Sequence, residues 1–265
     1  MRELTERWRP DLVALARSEV ADDVFERAEE STAFAQPAIY CTALAGWEAL
    51  RGDLEPDFMA GHSLGELAAL VAAGCLTAED GLRLVALRGK LMAEAGAGGM
   101  LAVRSRDRAA LKEVARRCDL VVANDNAPDQ LILAGTVAAV EAAIAELRER
   151  RVAAKRLPVA GAFHSPLMES AVAPFRAALA DVEPAEPRVP VFSGVTAQPF
   201  EDVRDRLAEG IVSPVRWLDS MRGLAARGVD RFVETGPGRV LTGLVRRSLD
   251  DVVAEAPPLT DPSRG

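Results

Sequence analysis

Residues 98–160 constrain the fold more tightly than any other stretch, because the spacing of apolar residues there switches repeatedly between strand and helix periods. "GMLAVRS" reads as a strand, "RDRAALKEVARRC" as a helix, "DLVVAN" and "QLILAGT" as strands, "VAAVEAAIAELRERR" as a helix and "AAKRLPVA" as a strand. The order β-α-β-β-α-β lets two helices cover one sheet and closes a compact unit within a short length of chain. The glycine run "AGAGG", residues 95–99, supplies the hinge through which the chain enters it.

That order is the split-βαβ, ferredoxin-like arrangement, here inserted into a larger α/β layer. Residues 3 to about 30 read as one or two polar amphipathic helices, and "AQPAIYCTALAGWEALRG" as a clearer helix with Pro37 in its first turn and Gly52 as its stop. "DFMAGH" is a short strand ending at Ser63, followed by a helix to Ala73 and another from Thr77 to Ala95, with Thr77 as cap. "PVFSG" and "RFVET" are strands between later helices. The expected class is α/β: a hydrolase-like core with a mainly parallel sheet, residues 1–97 and 161–250, carrying the ferredoxin-like subdomain at 98–160. The stretch 251–265 is expected to be a disordered tail.

Composition narrows the function. With 265 residues, 49% of them apolar, the chain can bury a sizeable core. Its 32 basic and 40 acidic residues give a net charge of −8, which excludes a generic nucleic-acid binder. No apolar stretch reaches membrane-spanning length, and "MRELTERWRP" is a charged helical pattern instead of a signal peptide. Cys41, Cys75 and Cys118 are odd in number and widely spaced among apolar neighbours, which suits reduced thiols and not a disulfide framework or metal site. The expectation is a cytoplasmic monomer without metal or cofactor and without a nucleic-acid or membrane partner.

"MAGHSLGELAAL", residues 59–70, sets a Gly-x-Ser-x-Gly frame around Ser63 at a strand-to-helix junction. Gly61 and Gly65 provide the small residues of a sharp turn, and the Leu64 N–H at the helix start is the oxyanion donor. A serine needs a base, and the chain has two histidines. His62, next to the nucleophile, reads as a packed or hydrogen-bonded residue bordering the substrate site. His164, in "VAGAFHSPLMES", sits before a helix opened by Ser165 and Pro166, where the ring stays neutral and can take a proton. Arg88 lies among Leu84, Val85, Leu87 and Leu91. Its partner is either an internal carboxylate, solvent reached by snorkelling, or a substrate carboxylate.

"QPAI", "GHSLGELAAL", "AAGCLTAEDGLRLVALRGKLM", "NDNAPDQLILAG", "AFHSPLM", "PVRW" and "VETGPGRVLTGL" together resemble the malonyl-CoA:acyl carrier protein transacylase family, including polyketide synthase acyltransferase domains. The resemblance implies a ping-pong transfer in fatty acid or polyketide biosynthesis. Ser63 attacks the malonyl thioester, His164 takes and returns the proton, and the phosphopantetheine thiol of an acyl carrier protein accepts the group. Arg88 matches the family arginine that pairs with the malonyl carboxylate, and Asn126 an asparagine on the cleft side of the small subdomain. The family orients its histidine by a backbone carbonyl, which the match places near "ETGPG". Phe163, in "AFHS", resembles malonyl-selective members, whereas those accepting a branched α-carbon carry serine there.

One family feature has no counterpart here. Members open with a core strand and a "GQG"-type loop whose glutamine N–H is the second oxyanion donor, while this sequence starts at "MRELTERW". The expectation is that the natural protein is longer than these residues, the alternative being an impaired chain. Two other functions share the same parts: an acyl-thioester hydrolase acting on carrier-bound groups, and a catalytically impaired carrier-protein docking module. Arg88 argues against the hydrolase, since plain acyl groups carry no carboxylate. For the acidic carrier protein, "LRERRVAAKR" supplies Arg148, Arg150, Arg151, Lys155 and Arg156 as a docking patch.

Overall fold

The computed structural model describes residues 1–258. Helices α1 (Arg2–Trp8) and α2 (Pro10–Val20) pack on α3 (Thr32–Leu50), which is followed by β1 (Met59–Ala60), α4 (Gly65–Ala72) and α5 (Ala78–Glu94). Next come β2 (Gly99–Arg104), α6 (Arg108–Arg117), β3 (Val121–Ala127), β4 (Gln130–Gly135), α7 (Val137–Glu149) and β5 (Ala153–Arg156). The remainder is α8 (Glu169–Ala180), β6 (Val191–Phe192), α9 (Val203–Glu209), α10 (Trp217–Ala225), β7 (Arg231–Val233), α11 (Val240–Ser248) and β8 (Val253–Glu255).

Strands β2 to β5 form one antiparallel sheet in the order β3-β4-β2-β5. Alternation assigns its faces: Leu101, Val103, Leu131 and Leu133 join side chains of α6 and α7 in one cluster, while Met100, Ile132 and Ala134 pack with Ala123 and Ala162 on the other side. β3 runs further than "DLVVAN", to Ala127, and its register against β4 shifts between Asp125 and Ala127, leaving Asn126 outside the ladder. Backbone bonds from Asp125 N–H to the Val215 carbonyl and from Val215 N–H to the Ala123 carbonyl stitch this strand to the segment preceding α10.

Elsewhere the named strands pair in parallel, as expected of the core, but in short, separate pieces. Among the described residues these are two parallel pairs, β1 with β6 and β7 with β8. Phe58 to Gly61 and Arg231 to Glu234 face a common cavity of about 670 Å³, closed by side chains of α3, α4, α10 and α11. The main apolar core adjoins this cavity through Leu44, Ala68 and Ala69 and buries Leu12, Tyr40, Leu67, Leu82 and Phe175 together.

Two local expectations are corrected. Helix α3 starts at Thr32, because Ser31 caps it by accepting from the Ala33 N–H at 3.2 Å, so Pro37 lies inside the helix and not in its first turn. Within the supposed tail, Val253–Glu255 pair with β7, Ala254 is buried, and the Arg246 guanidinium donates to the Ala254 carbonyl at 2.7 Å. The rest of that expectation concerns residues 256–258, which have no regular structure, and 259–265, which lie outside the described residues. Among the described residues no helix is long and apolar enough to cross a membrane.

Candidate active site

The elbow after β1 is fixed by backbone crowding. A Cβ on Gly61 would lie 1.9 Å from the Gly65 carbonyl carbon, so only glycine permits the turn there. Gly65 is different: a Cβ on it meets nothing within 4 Å, so of the two expected small residues Gly61 alone is sterically required. Ser63 takes φ of 55°, a left-handed conformation that costs a side-chain-bearing residue about 1–2 kcal/mol and that the packed turn enforces. The Gly65 N–H donates to the His62 carbonyl and the Glu66 N–H to the Ser63 carbonyl. The Leu64 N–H, just before these two, has no partner among the described residues and is free to meet an anion at the helix start.

His164 reaches this serine from the loop before α8. Its φ is 58°, and Ser165 caps the following short turn by accepting from the Leu167 N–H at 3.2 Å. The imidazole Nε2 lies 2.8 Å from Ser63 Oγ, and Nδ1 lies 2.8 Å from the Gly210 carbonyl oxygen. A carbonyl only accepts, so the proton is on Nδ1 and the Nε2 lone pair faces the serine hydroxyl. The ring is 5% exposed; burial, and after it the Arg88 charge, push its pKa down to about 3. Neutrality thus comes from burial and a neighbouring cation, where the sequence suggested a helix terminus.

The carbonyl that orients His164 belongs to Gly210, at the end of α9, and not to "ETGPG". That segment has other work: the Glu234 carboxylate accepts from the N–H groups of Leu241 and Thr242 and from Thr242 Oγ, which caps α11, and the loop lines the cavity.

Arg88 extends from α5 to the serine. Its Nη2 donates to Ser63 Oγ at 3.0 Å and its Nη1 to Gln36 Oε1 at 2.6 Å. The side chain neither snorkels nor forms an ion pair: it is 5% exposed, and both of these acceptors are neutral. Burial lowers its pKa to about 10, partly offset by Glu66. Glu66 itself is buried, and its Oε1 accepts from the Gly194 N–H at 2.7 Å; burial raises its carboxyl to about 7 against that bond and the Arg88 charge.

His62 and Asn126 meet each other instead of facing Ser63. His62 Nε2 lies 2.8 Å from Asn126 Oδ1, and the ring packs on Trp217 with centroids 5.4 Å apart. Their contact ties the elbow to β3 at the point where Asn126 leaves the ladder. Phe163, half-buried, packs against both the main core and the sheet's inner cluster, its ring held over Gly161. Within the basic patch, Arg150 pairs with Glu146 at 2.9 Å and Arg156 with Glu141 at 2.6 Å, and among the described residues Arg148, Arg151 and Lys155 have no ion-pair partner.

Three participants were not singled out from sequence: Gln36, Glu66 and the Gly210 carbonyl. Gln36 had a signal, being a polar residue inside the apolar run of α3; Glu66 likewise interrupts "GELAAL". A backbone carbonyl carries no residue-type signal at all.

The acyl transferase domain family model matches residues 17–260. The chain is 44% identical over 226 residues to the polyketide biosynthesis protein ThaF of Burkholderia thailandensis, covering 82% of this chain but 20% of that longer protein. It is 41% identical over 227 residues to the malonyl CoA-acyl carrier protein transacylase of Bacillus subtilis, covering 80% and 71%. The crystal structure of a malonyl-CoA:acyl carrier protein transacylase from Xanthomonas oryzae superposes with a TM-score of 0.89 at 34% identity, covering 98% and 89%. A malonyl-transacylase solved in complex with a type II polyketide synthase acyl-carrier protein superposes with a TM-score of 0.86 at 32% identity, covering 99% and 89%. The chain belongs to the acyl transferase domain family that includes the malonyl-CoA:acyl carrier protein transacylases.

Proposed function

We propose that this chain moves a malonyl group from malonyl-CoA to the phosphopantetheine thiol of an acyl carrier protein through an ester on Ser63. One observation carries the reading: Ser63 Oγ sits between the His164 Nε2 lone pair and a buried, uncompensated Arg88 guanidinium. Oγ attacks the thioester carbonyl as its proton passes to Nε2, and the Leu64 N–H meets the oxyanion. The thiolate of CoA leaves with the proton from His164. The carrier thiol then gives a proton to Nε2 and attacks the ester, and collapse of the second tetrahedral intermediate returns the proton to Ser63 Oγ. No step calls on a cofactor. Arg88 holds the distal carboxylate by a two-pronged ionic hydrogen bond, and Phe163 beside the base disfavours an α-methyl group.

The architecture supports reading residues 1–97 and 161–250 as a hydrolase-like core and 98–160 as a ferredoxin-like subdomain, whose strand order β3-β4-β2-β5 matches that topology. Only one oxyanion donor lies among the described residues, and β1 and β7, each paired on one side with β6 and β8, line the 670 Å³ cavity without pairing with each other. A further strand laid there parallel to β1 would end beside Ser63, where its loop brings a second N–H. Three free cysteines fit the cytoplasm, and we read the chain as a monomer that docks its carrier through Arg148, Arg151 and Lys155.

Intact-mass measurement after exposure to malonyl-CoA tests the chemistry. A malonyl adduct absent from Ser63→Ala, stable in water and discharged by carrier protein, is expected. Rapid loss of the ester to water would point to a hydrolase, and carrier binding without any adduct to a docking module.

A further inference from the structure

A buried arginine ordinarily meets a carboxylate, and here an amide takes that place. Gln36 on α3 is 3% exposed. Its Oε1 accepts from Arg88 Nη1 at 2.6 Å, while its Nε2 donates to Thr32 Oγ1 at 2.9 Å and to Met92 Sδ at 3.5 Å. With the NH₂ end engaged, the amide cannot turn over, and its oxygen is committed to the guanidinium. The carboxyl that senses the Arg88 charge, Glu66, is turned to the Gly194 N–H instead. The guanidinium is therefore positioned without being neutralised, and its other nitrogen reaches Ser63 Oγ at 3.0 Å.

We infer that Gln36 determines specificity: by holding Arg88 through a neutral oxygen, it makes the acyl site select groups that bring their own carboxylate over neutral acyl groups. The inference rests on Ser63 being the acyl acceptor. A carboxylate of the same shape at position 36 would hold the guanidinium equally well but complete its charge, so an incoming malonyl carboxylate would meet an already neutral pair and a like charge. A neutral acetyl group would lose nothing by the change.

The test is the rate of Ser63 acylation by malonyl-CoA and by acetyl-CoA, followed by intact mass on the full chain. Gln36→Glu is expected to lower malonyl loading by about ten- to a hundredfold while acetyl loading stays within about threefold, so the preference collapses. Gln36→Met leaves the charge uncompensated but loosens its hold; malonyl loading drops less, and the preference keeps its direction. An unchanged preference in Gln36→Glu, or an equal fall for both acyl groups, overturns the proposal. If circular dichroism shows that Gln36→Glu does not fold, Gln36→Met decides, because loss of preference there means that charge is not the determinant. A native chain that loads neither group refutes the acyl-acceptor reading and the proposal with it. A native chain that prefers malonyl, beside a Gln36→Glu variant that still does, refutes the proposal alone.

Discussion

The sheet of residues 99–156 and the strands that carry the catalytic elbow solve the same backbone problem in opposite ways. In the first, four antiparallel strands satisfy one another through contiguous pairing, six residue pairs long between β2 and β4, and both faces are covered by apolar clusters. In the second, parallel pairs of two and three residues stand apart across a cavity, and Ser63 is mounted directly on the end of one of them. Antiparallel neighbours can be joined by short turns, as β3 and β4 are, whereas parallel ones depend on contacts far apart in sequence. Continuous strand pairing is thus concentrated in the inserted sheet, while the catalytic strands are short and rely on the helices packed around them, with Asn126 and His62 as a contact between the two.

Glycine substitutions should separate the two most sharply. Gly61→Ala drives a Cβ into the Gly65 backbone, which must move, and Ser63 moves with it; acylation is expected to fall by at least about a hundredfold. Gly135→Ala, at the end of β4, places its Cβ 2.6 Å from Leu120 Cδ2, the far end of a side chain that can rotate. That variant should lose about 1–3 kcal/mol of stability yet acylate at the native rate per folded molecule. Stopped-time intact mass, paired with urea unfolding, checks both. If Gly135→Ala slows acylation as much as Gly61→Ala does, the division of labour between the sheets is wrong.

The same contrast explains what could be read from sequence. The elements of the inserted sheet were legible because each strand is long enough to show its alternation and each helix its period, although the length of β3 was not: its shifted register hides the extension that brings Asn126 to His62. The strands of the catalytic region were legible as short apolar runs, but a two-residue pairing such as Met59–Ala60 with Val191–Phe192 leaves no trace of which run is its neighbour. Ser63, His164 and Arg88 stood out through motif, scarcity and an incongruous apolar setting. Gln36 and the Gly210 carbonyl did not, because their importance lies in what Arg88 and His164 need once folded.

Packing gives a smaller effect with opposite signs in the two regions. Ala143 of α7 is fully buried in the cluster beneath the inserted sheet, and Ala143→Leu should cost about 1–3 kcal/mol by overpacking. Ala43 of α3 borders the 670 Å³ cavity, so Ala43→Leu should fill space and add about 1 kcal/mol. Denaturant midpoints measure both. Equal destabilisation would mean that the cavity is closed in solution and that the two sheets are packed alike.

The most gradual effect lies in how stability follows pH, since Glu66, Arg88 and His164 of the catalytic region are buried and the ion pairs of the inserted sheet are part-exposed. His164, lowered to about 3 from 6.5, stays neutral while the unfolded chain takes up a proton, so its contribution is present above pH 6.5 and is lost as pH falls towards 3. Glu66, raised to about 7 from 4.5, keeps a proton that the unfolded chain releases; its contribution is present below pH 4.5 and is lost as pH rises through 7. Between 4.5 and 6.5 the two oppose each other. Glu66→Gln removes one of them, and stability should then climb with pH in that window by at most about 1.4 kcal/mol per unit more than in the native chain. Asp129, beside Arg104 at 2.7 Å in the inserted sheet, is held below its ordinary 3.8, so its contribution is lost only as pH falls beneath the window. Asp129→Asn should leave the slope there unchanged. Urea unfolding across the window compares the three proteins, and a steeper slope in Asp129→Asn with none in Glu66→Gln would place the near-neutral titration in the wrong sheet.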